Sequence, residues 1–290
     1  MRGETRPRHY LSIAAIYYDE TAYLREWIAF HQIVGVEKFF LYDNRNTDDH
    51  LEVLGPYIED GTVTVYEWPL RPGQMPAYDH CLQTHGHDSR WIAFIDLDEF
   101  LFSPTYKPLP EILIDYEQYP GVGVNWAMFG TSGHQTRPEG LTIDTHHYRK
   151  EYPEFEHIKS IVDPTRTERA LSPHAFAYTD GLAVNEQHVP IEGPRVGATT
   201  VSVERLRVNH YSQRSRDEYV KKMGRPQAVN DRLKKFPENS LERRLTRSNA
   251  VRDDTIKHYV PAVKEALAGV EANCGSEDGG GADVPSSART

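Results

Sequence analysis

Apolar positions in the first third of this chain switch repeatedly between two periods. Leu11 to Tyr17 is nearly unbroken, as in a strand buried on both faces. Between Ala22 and Val34, the residues Leu24, Trp27, Ile28 and His31 fall on one face at helical spacing, and Gly35 ends the helix. Glu37 to Tyr42 reads as a second strand running into Asp43-Asn44. Asp49 to Ile58 reads as a second helix capped by Thr47 or Asp48. Gly61 opens the alternating strand Thr62 to Tyr66, Met75 to His85 is a third helix, and a further apolar strand begins at Trp91. This alternation predicts an α/β fold with a mostly parallel sheet and helices on both faces. Past Ser103 the pattern loosens. It gives a helix over Leu109 to Tyr116 and a strand over Val122 to Met128, then a polar loop from Gly130 to Gly140. Short strands follow near Ile158 to Val162, Ala175 to Thr179 and Leu206 to Tyr211. Ser215 caps a helix through Met223, and two more helices are expected over Gln227 to Phe236 and Asp253 to Ala268.

The most informative stretch is Trp91-Ile92-Ala93-Phe94-Ile95-Asp96-Leu97-Asp98-Glu99-Phe100-Leu101. It is an apolar strand that ends in three acids within four residues. On an extended backbone Asp96 and Asp98 share a side, and two such carboxylates repel unless a cation lies between them. A hard divalent ion, Mg²⁺ or Mn²⁺, suits them. In open α/β sheets the carboxyl ends of the strands form the ligand crevice. The ends at Tyr17 to Glu20, Asp43-Asn44, Trp68 to Gln74 and Asp96 to Glu99 therefore converge on an expected nucleotide pocket. Asp43 could accept from a base or ribose, though Asp43-Asn44 taken alone reads better as a turn. Arg71-Pro72-Gly73-Gln74 offers a cation and an amide, or a simple Pro-Gly turn. His210 is a candidate third metal ligand, followed closely by Arg214, Arg216, Lys221, Lys222 and Arg225, which could neutralise a diphosphate. Lys159 reads as a phosphate contact or a surface lysine.

Composition narrows the classes. The chain has 290 residues and a formal net charge of −10, which argues against a general nucleic-acid binder. The stretch from Arg195 to Lys264 is nonetheless net basic, which reads equally as an anion site or as solvated helix faces. No apolar run is long enough to span a bilayer, and no signal peptide is read at the N-terminus. The two cysteines, Cys81 and Cys274, do not make a disulfide framework, so a cytoplasmic location is expected. Residues 1–9 read as a polar arm and 271–290 as a disordered tail poor in buriable groups.

Several segments, taken in order, carry a family resemblance. They are Tyr23-Leu24-Arg25-Glu26-Trp27 with His31 and Gly35-Val36, then Leu41-Tyr42-Asp43-Asn44, and Ala77-Tyr78 with Cys81-Leu82. The acidic segment Phe94 to Phe100 follows, then Trp126 with Phe129 to His134, Lys159 to Val162, and Pro173-His174. Asn209-His210-Tyr211 with Ser215, Lys222 and Arg225 completes the set. Together they resemble the family 92 glycosyltransferases and their bacterial relatives on the family-2-like GT-A fold, over roughly Leu11 to Gly224. The resemblance implies one GT-A domain over residues 10–270, with a nucleotide-binding half to about 105 and an acceptor-side half beyond it. It implies Asp96, Asp98 and His210 on a Mn²⁺ or Mg²⁺ ion. A nucleoside-diphosphate sugar, commonly a uridine one, would contact Tyr17, Glu20, Asp43, Asn44, Arg71, Gln74, Tyr78, Asp96, Lys159, Arg214 and Lys222. The first strand of relatives often ends in a Lys-Asn-Glu-like triplet, where this chain has Tyr18-Asp19-Glu20.

The implied reaction is sugar transfer with inversion to a hydroxyl of a glycan, a lipid-linked intermediate or a small molecule. Inversion needs a general base on the acceptor side. Glu139 is the first candidate, with Asp180 and His134 behind it. Two other readings remain open: a haloacid-dehalogenase-like phosphatase with Asp96 as nucleophile, and a non-catalytic sugar-nucleotide-binding protein. The phosphatase signature would continue Gly-Thr where Glu99-Phe100 stand, and would need a second acidic motif, for which Asp253-Asp254 follows no apolar run.

Overall fold

Alternate residues of the first strand go to opposite cores. Leu11, Ile13, Ala15 and Tyr17 pack into one apolar cluster, and Ala14 and Ile16 into another. The next strand divides likewise, Phe39 and Leu41 against Phe40 and Tyr42, as does the Trp91 strand, Trp91 and Ala93 against Ile92 and Phe94. A period of two with both faces apolar requires cover on both sides. The computed structural model describes residues 7–152, 156–233 and 240–275 and supplies that cover. The first elements are β1 (His9–Tyr17), α1 (Thr21–Ile33), β2 (Lys38–Asp43), α2 (His50–Glu59), β3 (Val63–Glu67), α3 (Gln74–His85) and β4 (Ser89–Phe94). Then come β5 (Glu99–Phe102), α4 (Leu109–Leu113), β6 (Gly121–Met128), α5 (Thr142–Thr145), β7 (Tyr148–Arg149), β8 (Ile158–Val162), β9 (Thr167–Ser172) and β10 (Ala175–Tyr178). The last are β11 (Arg207–His210), α6 (Arg216–Met223), α7 (Ser240–Arg247), β12 (Val251–Arg252) and α8 (Val260–Gly275).

Eight strands form one sheet in the order β3-β2-β1-β4-β8-β6-β11-β5. Strands β1 to β4, β6 and β11 share one direction, and β8 and β5 oppose it. The carboxyl ends of β1, β2, β4, β6 and β11 therefore lie on one edge. Helices α1, α2 and α8 pack on one face, while α3 and the β9–β10 hairpin cover the other. Gly35 closes α1 at φ 103°, and a Cβ there would lie 2.6 Å from Pro110 Cδ, so only glycine fits this stop.

Three expectations need correction. Asp96-Leu97-Asp98 is not extended; it is a turn between β4 and β5. Glu99 N donates to Asp96 O at 3.0 Å and Asp96 N to Glu99 Oε2 at 2.9 Å, which closes that turn on itself. The chain then leaves β4 for the far edge of the sheet, where β5 pairs antiparallel with β11. Second, Gln227 to Leu233 forms turns, not a helix: Asp231 sits at φ 54° and Asn230 Oδ1 accepts from Arg232 N at 3.0 Å, an Asx turn that competes with helical bonding. The last part of that expected helix, 234–236, lies outside the described residues, as do arm residues 1–6 and tail residues 276–290. Third, the last helix both starts and ends later than expected, from Val260 to Gly275. Asp253 is drawn out of it by Arg149 (2.7 Å) and Arg207 (3.0 Å).

Candidate active site

The shared strand edge opens into a cavity of about 730 Å³. One wall includes Tyr17, Tyr18, Glu20, Asn44, Arg71 and Gln74. The floor is Asp96, Asp98 and His210 with Lys222 bonded to Asp98, and the far wall includes Trp126, Met128 and His174.

The floor is built by pairing. β5 and β11 place Glu99 opposite His210 in register. Tyr211 N donates to Asp98 O at 2.7 Å, and Trp27 Nε1 to Glu99 O at 2.7 Å, so the turn is anchored on both sides. Asp98, 5% exposed, has its Oδ2 3.4 Å from His210 Nε2 and is hydrogen-bonded by Lys222 Nζ. Burial opposes the Asp98 charge, but Lys222 and His210 outweigh it and hold the carboxyl well below the usual range. Asp96, 32% exposed, receives Gln74 Nε2 at 3.0 Å and Lys159 Nζ at 2.8 Å. Lys159, 1% exposed, also lies 3.4 Å from Glu99. Burial works against its charge as well, and Asp96 and Glu99 reverse that and raise it. One ammonium is thus shared between two carboxyl groups beneath the floor.

Glu99 is wholly buried, and among the described residues its Oε1 has no hydrogen-bond partner; nor has His210 Nδ1, 3.7 Å away. Burial pushes the Glu99 carboxyl well up and pulls the His210 imidazole down. The Glu99 carboxyl stands behind one imidazole nitrogen, without a hydrogen bond to it, while the other nitrogen faces Asp98. Asp98 and His210 thus offer an oxygen and a nitrogen donor suited to Mn²⁺ or Mg²⁺, and substrate phosphates commonly complete such sites. Among the described residues, however, no group of three or more His, Cys, Asp or Glu is placed to hold a metal ion. The expected triad is therefore a pair, with Asp96 turned to Gln74 and Lys159.

The other expected residues divide. Tyr17, Glu20, Asn44, Arg71, Gln74 and Lys222 line the cavity. Asp43 does not: its Oδ1 accepts from Asn46 N at 2.8 Å and its Oδ2 faces His50 Nε2 at 3.3 Å, so the turn reading holds. Asn44 faces the cavity while its amide donates to Trp68 O and Leu70 O, tying down the loop after β3. Tyr78 is buried under Gln74, whose amide reaches its hydroxyl at 3.1 Å. Arg214 lies behind the wall, paired with Glu20, its guanidinium 3.4 Å from the Tyr23 ring centre and its backbone at φ 48°. Arg225 and Arg71 instead flank the Tyr18 ring at 5.0 and 5.5 Å. The capping box of Ser215 with Glu218 starts α6, which carries Lys222 to Asp98.

None of the three base candidates lines the cavity. Glu139 is exposed on its loop. His134 Nε2 is bonded to Thr145 O at 3.0 Å. Asp180 is exposed and paired with Arg166. The reading from sequence placed all three by their position after the acidic strand, but none of their side chains lines the cavity. It also passed over Glu99, visible as the third acid of the cluster, and gave no role to His174 or Trp126.

The fold is a mixed α/β sheet flanked by helices, and Asp96, Asp98 and His210 lie at its strand edge. Residues 8–249 match Glycosyltransferase family 92, and the chain belongs to that family. A family 92 protein of Oryza sativa subsp. japonica is 32% identical over 187 residues, 61% of this chain and 31% of the relative. Another from Arabidopsis thaliana is 28% identical over 192 residues, 60% of this chain and 32% of the relative. A galactan beta-1,4-galactosyltransferase of Arabidopsis thaliana is 31% identical over 106 residues, 33% of this chain and 20% of the relative. The chain thus spans about a third of the length of the family 92 relatives it matches. These relatives are plant proteins, so the bacterial affinity expected from sequence finds no support in them. Among solved structures, S. aureus TarS 1-349 aligns at TM-score 0.38 and 12% identity, over 54% of this chain and 47% of that one. No helix among the described residues is long and apolar enough to cross a membrane.

Proposed function

We propose that this chain moves a sugar from a nucleoside-diphosphate donor, a uridine one first, to an acceptor hydroxyl with inversion at the anomeric carbon. The observation that carries this reading is the meeting of Asp98, His210 and Lys222 on the floor of one cavity. Asp98 and His210 would hold a Mn²⁺ or Mg²⁺ ion, which when bound neutralises charge on the leaving diphosphate. Lys222 adds a positive charge at the same point, and Arg225 and Arg71 stand on the nucleotide side. Asn44, Tyr17 and Tyr18 border the space for the nucleoside. The galactan galactosyltransferase relative favours a glycan as acceptor. The phosphatase reading loses ground because Asp96 is held by Lys159 and Gln74, and Asp253 is locked between Arg149 and Arg207.

Calorimetric titration with uridine diphosphate, with and without Mn²⁺, tests this on the wild type and Asp98→Ala. Micromolar binding that needs the metal and vanishes in the variant supports the reading. Binding that ignores both the metal and the substitution removes Asp98 from the diphosphate site. Failure of uridine, guanosine and thymidine diphosphates alike would overturn the transferase reading and the non-catalytic sugar-nucleotide-binding alternative together.

A further inference from the structure

We propose that His174 is the general base that deprotonates the acceptor hydroxyl. This rests on the transferase reading above. Pro173-His174 is the two-residue tip of the β9–β10 hairpin, and both residues line the cavity. The tip is held at three points: Ser160 Oγ donates to His174 O at 2.9 Å, His174 N donates to Ser172 Oγ at 3.2 Å, and His174 Nδ1 meets Ile158 O at 2.9 Å. A carbonyl oxygen only accepts, so Nδ1 carries the proton and the Nε2 lone pair is left open. No hydrogen bond engages Nε2 among the described residues.

The placement suits an acceptor. Ile158 precedes Lys159, the lysine clamped on Asp96, so His174 is fixed one residue along β8 from the acidic turn. Trp126 stands edge-on to His174 at 5.0 Å and tilted against His210 at 4.4 Å, between the hairpin tip and the floor. His157 stacks on the same indole at 5.3 Å, so Trp126 joins the hairpin tip to the floor. Burial first, and then Lys159, bring the imidazole down to about 4, so it is neutral and able to accept at neutral pH.

In the step assigned, the acceptor O–H bond breaks and its proton passes to Nε2. The oxygen bonds to the anomeric carbon as the anomeric carbon–phosphate oxygen bond breaks, and that electron pair leaves with the nucleoside diphosphate. The imidazolium then returns its proton to solvent. Of the residues lining the cavity, Glu20, Asp96, Asp98 and His210 are the other carboxylates and imidazole, and each has a charged partner within the floor or wall.

The test measures uridine diphosphate release from UDP-galactose and UDP-glucose with Mn²⁺ and water as acceptor, beside calorimetric binding of uridine diphosphate. His174→Gln should lower the release rate about a hundredfold or more, with nucleotide affinity within about twofold of wild type. His174→Ala should lose the same activity and regain part of it with free imidazole in the buffer, which also serves if the glutamine variant does not fold. A His174→Gln rate close to wild type overturns the assignment alone. Loss of nucleotide affinity in that variant also overturns it, making His174 a donor contact. A wild-type chain that neither binds nor releases uridine diphosphate overturns the transferase reading, and this assignment with it.

Discussion

Glu99 Oε1 and His210 Nδ1 face each other at 3.7 Å, and neither has a hydrogen-bond partner among the described residues. β5 and β11 hold them in register, and the pair positions the imidazole nitrogen that looks toward Asp98. Glu99→Gln keeps the shape and removes the acid. The expected result is an about 10- to 100-fold weaker Mn²⁺ affinity in the uridine diphosphate titration, as for other carboxyl groups behind metal-binding histidines. An unchanged Mn²⁺ dependence would make Glu99 a partner of Lys159 alone.

Lys222 is carried to Asp98 by α6. Lys222→Ala removes a charge-assisted bond and should weaken uridine diphosphate binding about 10- to 100-fold, equivalent to about 1.5–3 kcal/mol. Lys221→Ala, on the neighbouring exposed position, should change it less than about twofold. Equal effects of the two would mean that the basic segment acts as a general field.

Glu139→Gln, His134→Gln and Asp180→Asn should each leave sugar transfer within about twofold of wild type, because none reaches the cavity. Steady-state rates with one donor at saturation would decide this. A hundredfold loss in Glu139→Gln would show that its loop closes over the site during turnover.

His31 ties α1 to β5: Nδ1 meets Trp27 O at 2.8 Å and Nε2 accepts from Leu101 N at 3.1 Å. Complete burial brings its imidazole down to about 3, against about 6.5 when unfolded. Its stabilising contribution is therefore whole above pH 6.5 and is lost as pH falls toward 3. Each pH unit within that window removes up to about 1.4 kcal/mol. His31→Gln lacks this titration, so the gap in melting temperature between wild type and variant should narrow from pH 7 to pH 5. A constant gap would mean that His31 does not titrate on unfolding.

The sequence by itself determined the β-α alternation of the first hundred residues. Two-sided apolar strands and one-sided helices have different periods, and each period is set by neighbours a few positions away. It also marked Asp98 and His210, at the ends of apolar strands, and Lys222, in the basic segment that follows His210. Tertiary structure decided the rest. The extended Asp96-x-Asp98 became a turn because Glu99 folds back on Asp96 and β5 finds its partner in β11. Lys159 became the counter-ion of Asp96 across 63 positions, and Lys222 that of Asp98 across 124. His174, inconspicuous on a two-residue turn, reached the cavity through the packing of its hairpin on α3 and β8. No local pattern encodes such meetings, since they depend on strand order and on where buried charges find their opposites.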